Sequence, residues 1–374
     1  MRKKILLFVG TRPEAIKMAP VIRELMLFKD QFDTRFCATG QHKEMLDQVL
    51  TLFDLKPDYD LGLMKNAQQL HDLSARALIA STEVIRDFRP DCVLVQGDTS
   101  TAMVCGLAAF YQKVPVGHVE AGLRTNNIYY PFPEEINRRL LSQLATFHFV
   151  PTETALKALL SESVPREHIL LTGNTVIDAL LWVVQKKSRL PKNFVLNERK
   201  LILVTAHRRE SWGAPLEEIC DSILELENAF SDIEFIYPVH RNPVVWNTVF
   251  NKLSHRKRIY LIEPVEYDVL VGLMNHSYLI LTDSGGIQEE APALGKPVLV
   301  LRNETERPEA VDAGVAKLVG TKRQRIVDEV TRLLSDQIYY NGMAKCISPY
   351  GDGKASERIV SYLLQHITDS PCES

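Results

Sequence analysis

Short apolar runs alternate with amphipathic stretches along the whole chain, and this alternation constrains the fold more than any other feature. Apolar runs of this length indicate buried strands, and amphipathic stretches indicate helices that cover a sheet. That order is typical of repeated strand–helix–strand units with parallel strands. The alternation therefore predicts an α/β fold with open, doubly wound, Rossmann-like sheets.

The alternation also gives positions for the elements. Strands are expected at residues 4–9, 34–38, 92–96, 116–119, 147–150, 169–171, 201–205, 234–237, 259–261, 279–282 and 297–301. Helical patterns cover residues 14–27, 70–88 and 355–366. The opening MRKKILLFVG could begin a signal peptide or a first strand, and we favour the strand because its apolar run is short and no small-residue cleavage site follows.

The chain is long enough for two domains, since 374 residues exceed the usual size of one. A boundary is expected near Thr172, where TGNTVIDALLW opens a helix after the strand at 169–171. We therefore predict an N-terminal domain over residues 1–171 and a C-terminal domain over 172–357. From its own pattern the last helix could belong to either domain.

Composition excludes several classes of partner. The formal net charge is -3 and no block of like charges occurs, so no general attraction to nucleic acid or to an anionic membrane is expected. No apolar stretch approaches the length that spans a bilayer. The six cysteines are scattered, with no CxxC pair and no His/Cys cluster at metal-ligand spacing, which predicts reduced thiols in a cytoplasm and no bound metal.

Ligands of open α/β sheets bind beyond the carboxyl ends of the strands, so the residues after each strand are the informative ones. GTRPEAIK follows the first strand and places Arg12 and Lys17 at a helix start, where anions bind readily. The neighbouring Gly10, Pro13 and Glu14 need no role beyond an ordinary turn and helix start. The pattern is not GxGxxG, so a nicotinamide cofactor is not expected.

LTDSGGIQEE follows a late strand and gives a second candidate phosphate site. Ser284, Gly285 and Gly286 form a bare turn at a helix start, where free backbone amides can hold a diphosphate. Glu290 lies about one helical turn further on and could accept hydrogen bonds from ribose hydroxyls. A Ser-capped helix with a glycine-rich entry is the ordinary alternative, and the paired glycines favour phosphate.

Carboxylates and histidines follow other strands. Asp98 ends one strand, Glu120 follows the next, and Glu134 opens a helix after Pro133. If such acids crowd together, like charges raise a pKa and make a proton donor, a question that the sequence leaves open. TAHRRES and PVHRNP supply a further set of candidate residues, which are His207, Arg208 and His240.

Nine segments in order resemble the non-hydrolysing UDP-N-acetylglucosamine 2-epimerases. They are GTRPEAIKMAP, TGQHKEMLDQVL, GDTSTAM, PVGHVEAGLRT, PFPEEINRRL, TGNTVIDAL, TAHRRES, PVHRNP and LTDSGGIQEEAPALGKPVLVLRNETERPEAV. The resemblance runs from about Lys4 to YGDGKASERI. It implies a glycosyltransferase-B-like fold with two Rossmann-like domains facing a cleft, a cytoplasmic homodimer without a cofactor, and a last helix, 358–374, that packs back on the N-terminal domain.

The resemblance also implies roles for individual residues. The positions that match acid–base and catalytic residues of the family are Asp98, Glu120, Glu134, His207, Arg138 and Lys17. Those that match its UDP-binding residues are Arg12, Ser284, Gly285, Gly286 and Glu290. A second, activating UDP-N-acetylglucosamine pocket of bacterial members is matched by Gln41, His42, Glu44, Arg208 and His240.

Two departures affect the activating pocket. Some members carry an arginine where this chain has Ala67 and a glutamine where it has Glu44. Arg241 also follows His240 where an apolar residue is usual. The catalytic positions match, so the departures leave activation by substrate open.

The implied reaction is reversible epimerisation at carbon-2, which yields UDP-N-acetylmannosamine for cell-surface polysaccharide precursors. Carbon-2 carries a proton of low acidity, but departure of UDP makes it labile. Elimination then gives 2-acetamidoglucal, and reprotonation from the opposite face with return of UDP completes the reaction. Cations and amides would stabilise the diphosphate, and one acid or base would serve each sugar face.

Other activities remain as alternatives. A hydrolysing epimerase would release N-acetylmannosamine and UDP, and a relative would act on a UDP-diacetamido-uronic acid. A glycosyltransferase could share the same architecture, because fold does not fix function. A nucleotide-binding sensor without activity would leave the acid–base candidates unused.

Overall fold

The computed structural model describes residues 2–40, 43–63, 69–345 and 348–367, with the backbone alone for 43–45. The chain forms two compact units, Met1–Leu181 with Tyr350–Ser374, and Trp182–Pro349. The units divide after Leu181, inside a helix that begins at Thr175. The domain limits expected from the sequence, 1–171 and 172–357, stay a prediction.

The first unit is built on a seven-stranded sheet of parallel strands in the order β3-β2-β1-β4-β5-β6-β7. Its elements are β1 (Lys3–Val9), α1 (Arg12–Leu27), β2 (Phe32–Ala38), α2 (Lys43–Leu52), β3 (Tyr59–Asp60), α3 (Leu70–Phe88), β4 (Cys92–Gln96), α4 (Ser100–Tyr111), β5 (Val116–Val119), α5 (Glu134–Leu144), β6 (Phe147–Val150), α6 (Glu153–Ser161), β7 (Ile169–Leu171) and α7 (Thr175–Lys186). Buried apolar side chains of β1 and β4 form the centre of its core, as expected for strands covered on both faces.

The second unit has a six-stranded sheet, also parallel, in the order β10-β9-β8-β11-β12-β13. Its elements are β8 (Lys200–Thr205), α8 (Ala214–Ala229), β9 (Ile233–Pro238), α9 (Pro243–Leu253), β10 (Ile259–Ile262), α10 (Tyr267–His276), β11 (Leu279–Thr282), α11 (Gly285–Glu290), β12 (Val298–Val300), α12 (Pro308–Asp312), β13 (Ala316–Leu318), α13 (Arg323–Ser335) and α14 (Gln337–Met343). Its core includes the fully buried Phe235 and Tyr237 of β9.

The last helix, α15 (Ala355–His366), belongs to the first unit and packs against α1. Its first turn is held by Asp178 of α7. That carboxylate accepts hydrogen bonds from the backbone N–H groups of Ala355 (3.2 Å) and Ser356 (2.8 Å), and from the Ser356 hydroxyl (2.5 Å). An acceptor at a helix start satisfies amides that have no partner inside the helix, so the contact fixes where α15 begins.

The doubly wound α/β fold predicted from the sequence is confirmed, and each predicted strand is present with limits shifted by no more than two residues. The prediction missed β3 and β13, which have two and three residues. Both lie at the outer edge of a sheet. β3 reads Tyr-Asp and β13 reads Ala-Lys-Leu, so neither is the apolar run by which the similarly short β7 and β12 were recognised.

Each sheet has one point at which the winding reverses. In the first sheet β1 and β4 are neighbours, with β2 and β3 beyond β1 and the later strands beyond β4. In the second sheet β8 and β11 are the corresponding neighbours. Ligands of open α/β sheets bind at such reversal points, outside the carboxyl ends of the strands. The loops after these four strands are therefore the first places to look for a functional site.

Candidate functional site

The loop after β1 is fixed by Glu14 at the start of α1. The buried Glu14 carboxylate accepts hydrogen bonds from the backbone N–H groups of Gly10 and Thr11, both at 2.6 Å, and from the Thr99 hydroxyl at 2.5 Å. Burial raises the pKa of Glu14, and these hydrogen bonds oppose the rise. Glu14 thus joins the loop after β1 to the loop after β4, which is more than the helix-start role expected from the sequence.

Glycine is required at the entry to this loop. A Cβ on Gly10 would lie 2.6 Å from the Thr39 hydroxyl oxygen and 3.0 Å from a Glu14 carboxylate oxygen. Arg12 is the first residue of α1 and is half-buried, and Lys17 lies one and a half turns further along the helix. Both predicted cations therefore stand in the first half of α1, at the reversal point of the first sheet.

Glu120, which follows β5, is the most heavily hydrogen-bonded of the predicted acids. Its Oε1 accepts from Lys17 Nζ at 2.5 Å and from Asn174 Nδ2 at 2.9 Å, and its Oε2 accepts from Gln96 Nε2. The side chain is only 6% exposed. Its backbone φ of 64° is a left-handed value that is rare outside glycine. One cation and two amides therefore hold a buried carboxylate in one place, which is the environment of a preorganised reactive group.

Asp98, which follows β4, has a cation of its own. Arg138 donates a hydrogen bond to Asp98 Oδ2 and lies 3.4 Å from Glu135 Oε2. Asn137 also donates to the backbone carbonyl of Asp98 at 2.9 Å. The Asp98 side chain remains 27% exposed, so it is held in place and still open to a ligand. Asp98 and Glu120 are thus each compensated by a separate cation.

The two acids at the start of α5 differ in their surroundings. Glu134 is half-buried at the first position of the helix. Glu135 is fully buried, and its carboxylate accepts from the backbone N–H groups of Thr125 (3.0 Å) and Asn126 (3.2 Å) and from Arg139 (3.0 Å). The bonds to Glu135 fold the loop before α5. Glu134 has the accessible position that an acid–base group needs.

In the second unit, His207 follows β8 and faces Asp283, which follows β11. Asp283 Oδ2 accepts from the backbone N–H groups of His207 (2.7 Å) and Arg208 (2.8 Å), and its Oδ1 lies 3.4 Å from His207 Nδ1. The His207 ring stacks on the His240 ring, with centroids 5.4 Å apart. Burial lowers the pKa of His207 and the neighbouring His240 and Arg208 lower it further, whereas Asp283 opposes the change.

The glycine turn lies beside this histidine. Ser284 caps the short α11 without a side-chain hydrogen bond to the helix, and its own N–H donates to the Thr282 hydroxyl at 3.0 Å. A Cβ on Gly285 would lie 3.3 Å from the Arg307 guanidinium carbon. The turn therefore combines a bare helix start with an adjacent cation. Glu290, at the end of α11, is buried and accepts a hydrogen bond from the Tyr267 hydroxyl.

The arginines of this unit are largely engaged by acids. Arg302 donates to Glu210 at 2.5 Å and to Glu306 at 2.8 Å, and Arg307 donates to Glu289 at 2.8 Å. The hydrogen bonds from Arg302 lower the pKa of Glu306 to about 2. Arg208 is a looser partner, 4.0 Å from Glu306. This network ties the loop after β12 to the loops after β8 and β11.

Part of the predicted activating pocket lies outside the described residues. Gln41, His42, Ala67 and the side chain of Glu44 belong to that part of the chain. The described members are Arg208 and the exposed His240, whose Nδ1 accepts from Asn242 N–H at 3.1 Å. The neighbouring Arg241 is exposed and pairs with Glu263 at 3.0 Å.

The sequence did not single out three residues that contact the predicted site residues, namely Gln96, Asn174 and Asp283. Amides such as Gln96 and Asn174 carry no pattern of their own, although Asn174 stands in the TGNT segment that was noted for its resemblance. Asp283 could have been found, because it directly follows a buried strand as Asp98 and Glu120 do.

Two features are absent from the described part of the chain. No three His, Cys, Asp or Glu side chains in that part of the chain come together as metal ligands would. No helix within it is both long and apolar enough to cross a membrane.

Known proteins match this chain over most of its length. A sequence model of the family described as UDP-N-acetylglucosamine 2-epimerase matches residues 26–364. The UDP-N-acetylglucosamine 2-epimerase of Escherichia coli K12 is 54% identical over 370 residues, which cover 96% of this chain and 98% of that protein.

Solved structures extend the likeness to three dimensions. The Neisseria meningitidis UDP-GlcNAc 2-epimerase, bound to UDP-GlcNAc, is 51% identical, covers 97% of this chain and 100% of that one, and superposes with a TM-score of 0.87. The glycosyltransferase SnogD from Streptomyces nogalater covers 97% of this chain and 99% of its own at a TM-score of 0.61, but at 14% identity it shows the fold alone. The resemblance drawn from the sequence is confirmed: this chain belongs to the UDP-N-acetylglucosamine 2-epimerase family.

Proposed function

We propose that this protein interconverts UDP-N-acetylglucosamine and UDP-N-acetylmannosamine without releasing the free sugar. The observation that carries the proposal is the pair of carboxylates after neighbouring strands, Asp98 after β4 and Glu120 after β5, each bound to its own cation. Family membership and the UDP-GlcNAc bound to the Neisseria relative support the choice of substrate. No cofactor is needed, because departure of UDP supplies the driving force for loss of the proton.

The leaving group is the task that we assign to cations and backbone amides. Arg12 in the first unit and the Ser284–Gly286 turn in the second would bind the diphosphate, and the buried Glu290 would accept from the ribose hydroxyls. Backbone N–H groups at a helix start and fixed cations stabilise a developing negative charge at little cost, since they need not reorganise. Heterolysis of the bond between carbon-1 and oxygen then moves its electron pair onto UDP.

Proton exchange at carbon-2 is the task that we assign to the acids and His207. We propose that Glu120 takes the proton, because three donors stabilise its charged form and fix its position. Elimination leaves 2-acetamidoglucal and bound UDP. A proton is then returned to the opposite face from Asp98, Glu134 or His207, and UDP adds back to carbon-1. Lys17 would hold the Glu120 carboxylate in position, and Arg138 would hold the Asp98 carboxylate in position.

The proposal extends to assembly and location. We propose a homodimer, supported by large apolar side chains exposed on the paired helices α3 and α4, which are Ile79, Phe110 and Tyr111. We propose a cytoplasmic enzyme, supported by the buried free thiols of Cys37, Cys92, Cys105 and Cys220. The activating pocket stays a proposal for Arg208 and His240 together with Gln41, His42 and Glu44.

Purified protein incubated with UDP-N-acetylglucosamine alone in D2O tests the function. Proton NMR should show UDP-N-acetylmannosamine accumulating, with deuterium at carbon-2 of the product. Free N-acetylmannosamine with UDP would instead identify a hydrolysing epimerase. Product without deuterium would rule out proton exchange at carbon-2, and unchanged substrate would reduce the protein to a binder of UDP-sugars or a transferase that needs an acceptor.

A further inference from the structure

Asp283 is a buried carboxylate at the reversal point of the second sheet, between β11 and the glycine turn. Its side chain is 0% exposed. One oxygen, Oδ2, accepts the backbone N–H groups of His207 and Arg208 at 2.7 and 2.8 Å. These two bonds fix the carboxylate against the loop after β8, so the direction of its second oxygen is fixed as well.

The second oxygen is unsatisfied. Among the described residues no group donates a hydrogen bond to Asp283 Oδ1, although that atom is buried. The neighbouring ring nitrogen is His207 Nδ1, at 3.4 Å. That distance exceeds an ordinary N–H···O bond, and a small rotation of the imidazole toward Oδ1 would close it. A buried oxygen of a carboxylate costs free energy until it accepts a hydrogen bond, so the rotation is favoured.

The other charged or titratable groups around His207 do not compete for its Nδ1 proton. Arg208 offers donors only. The stacked His240 presents its ring face, and its own Nδ1 already accepts from Asn242 N–H at 3.1 Å. Asp283 Oδ1 is thus the acceptor toward which His207 Nδ1 points.

We propose that Asp283 is a positioning residue for His207, which holds the proton of the neutral imidazole on Nδ1 and leaves Nε2 free to exchange a proton with the substrate. The proposal rests on the role given to His207 in the proposed function. A histidine that works as an acid or base needs one ring nitrogen anchored, because a ring with the wrong tautomer presents a donor where an acceptor is required.

The tautomer can be measured without turnover. The full chain labelled with 15N-histidine is recorded by two-bond 15N–1H correlation at a pH above the titration of His207, and the His207 signal is assigned from its loss in His207→Gln. We expect a pyrrole-like Nδ1 and a pyridine-like Nε2. A protonated Nε2 in the wild-type protein overturns the proposal, whatever any variant does.

Asp283→Asn provides the second measurement. The amide oxygen takes the place of Oδ2, which must accept two N–H groups, so the amide NH2 points at His207 Nδ1. That group donates to Nδ1, and we expect the tautomer to invert. Loss of the negative charge should also lower the pKa of His207, because Asp283 raises it in the wild-type protein. An unchanged tautomer and pKa in a folded Asp283→Asn protein would contradict the proposal.

Glu234→Gln is the matched control. Glu234 is also a carboxylate at 0% exposure with an unsatisfied oxygen, but it lies at the amino end of β9, whereas His207 follows the carboxyl end of β8. The tautomer and pKa of His207 should be the same as in the wild-type protein.

Turnover separates this proposal from the proposed function. If His207 exchanges a proton, Asp283→Asn should lower kcat by about 10²-fold or more with KM little changed. An inverted tautomer with normal kcat would support the positioning by Asp283 and remove His207 from the reaction. Absence of any epimerase activity in the wild-type protein would refute the proposed function and leave the NMR result to stand alone.

Discussion

The reversal points of the two sheets have the same backbone plan and opposite chemistry. At the reversal point of the first sheet Asp98 follows β4, and Glu120 follows the neighbouring β5; each carboxylate is fixed by a cation and by amide groups. After β8 and β11 the second unit presents a histidine and a glycine turn, with arginines engaged by glutamates. The proposed function assigns the carboxylates of the first unit to proton exchange and the glycine turn of the second unit to the diphosphate.

In the proposed function, this difference divides the reaction between two kinds of group. A proton acceptor must be held in one geometry, and three donors hold Glu120 in place. A diphosphate needs many weak donors and little side-chain bulk, which the Ser284–Gly286 turn provides. The second unit also contains one buried carboxylate that is fixed by several donors. Two backbone N–H groups hold Asp283, as three side-chain donors hold Glu120 in the first unit.

The largest effect that tests this division is expected from the acids of the first unit. Asp98→Asn and Glu120→Gln keep the size of the side chain and remove its basicity, so kcat should fall by about 10²-fold or more. Binding of UDP, measured by calorimetry, should change little, because we assign the diphosphate to other residues. Near-normal turnover in both variants would show that the two acids do not take part in the reaction. Loss of UDP binding would show that these acids also contribute to binding the diphosphate.

A second effect concerns how the free energy of unfolding of the first unit depends on pH. The first unit buries His118 and His148 on the paired strands β5 and β6. Burial lowers the pKa of His118 to about 4 and that of His148 to about 3. Both values lie below the unfolded value of about 6.5, so the unfolded chain binds protons first, and stability present above pH 6.5 is lost as the pH falls toward 4.

For His118 alone the unfolding equilibrium constant should rise about 30-fold between pH 7.5 and 5, which is about 2 kcal/mol. His118→Gln removes that titration and should reduce the slope to the part that His148 contributes. Urea unfolding followed by far-UV circular dichroism measures the loss for both units. Fluorescence of Trp182, Trp212 and Trp246 reports on the second unit alone, which contains them all. An unchanged slope in His118→Gln would place the acid sensitivity elsewhere.

The acids of the candidate site also show what the sequence could and could not predict. Asp98 and Glu120 could be named as candidates because the sequence itself shows an acid just after a buried apolar run. Which cations hold the two acids was not readable, because Arg138 and Lys17 approach from other elements, 40 and 103 residues away. Periodicity was enough to predict the fold, and this prediction missed only the edge strands β3 and β13.

Gln96 and Asn174 were missed in the sequence for the same reason, because their contacts with Glu120 come from the fold. Asn174 and Gln96 are ordinary amides in the sequence, and they acquire meaning only because β4, β5 and the loop after β7 end at the same edge of one sheet. The roles of the predicted site residues are set by these neighbours. Motif matching identifies the acids but leaves their supporting amides out.

The smallest expected effect tests the hydrogen bond that Asn174 donates to Glu120. Asn174 belongs to a loop that is itself held from behind: its backbone N–H donates to the Tyr350 carbonyl at 2.6 Å, and a Cβ on Gly173 would lie 3.1 Å from the Gly351 Cα. Asn174→Ala removes one donor from a carboxylate that keeps Lys17 and Gln96, so kcat should fall about tenfold, less than in Glu120→Gln. Asn341→Ala, at an exposed site on α14, should match the wild type. If Asn174 acts only through Glu120, adding Asn174→Ala to Glu120→Gln should cost nothing further, whereas a multiplied loss would mean that Asn174 works independently of that carboxylate.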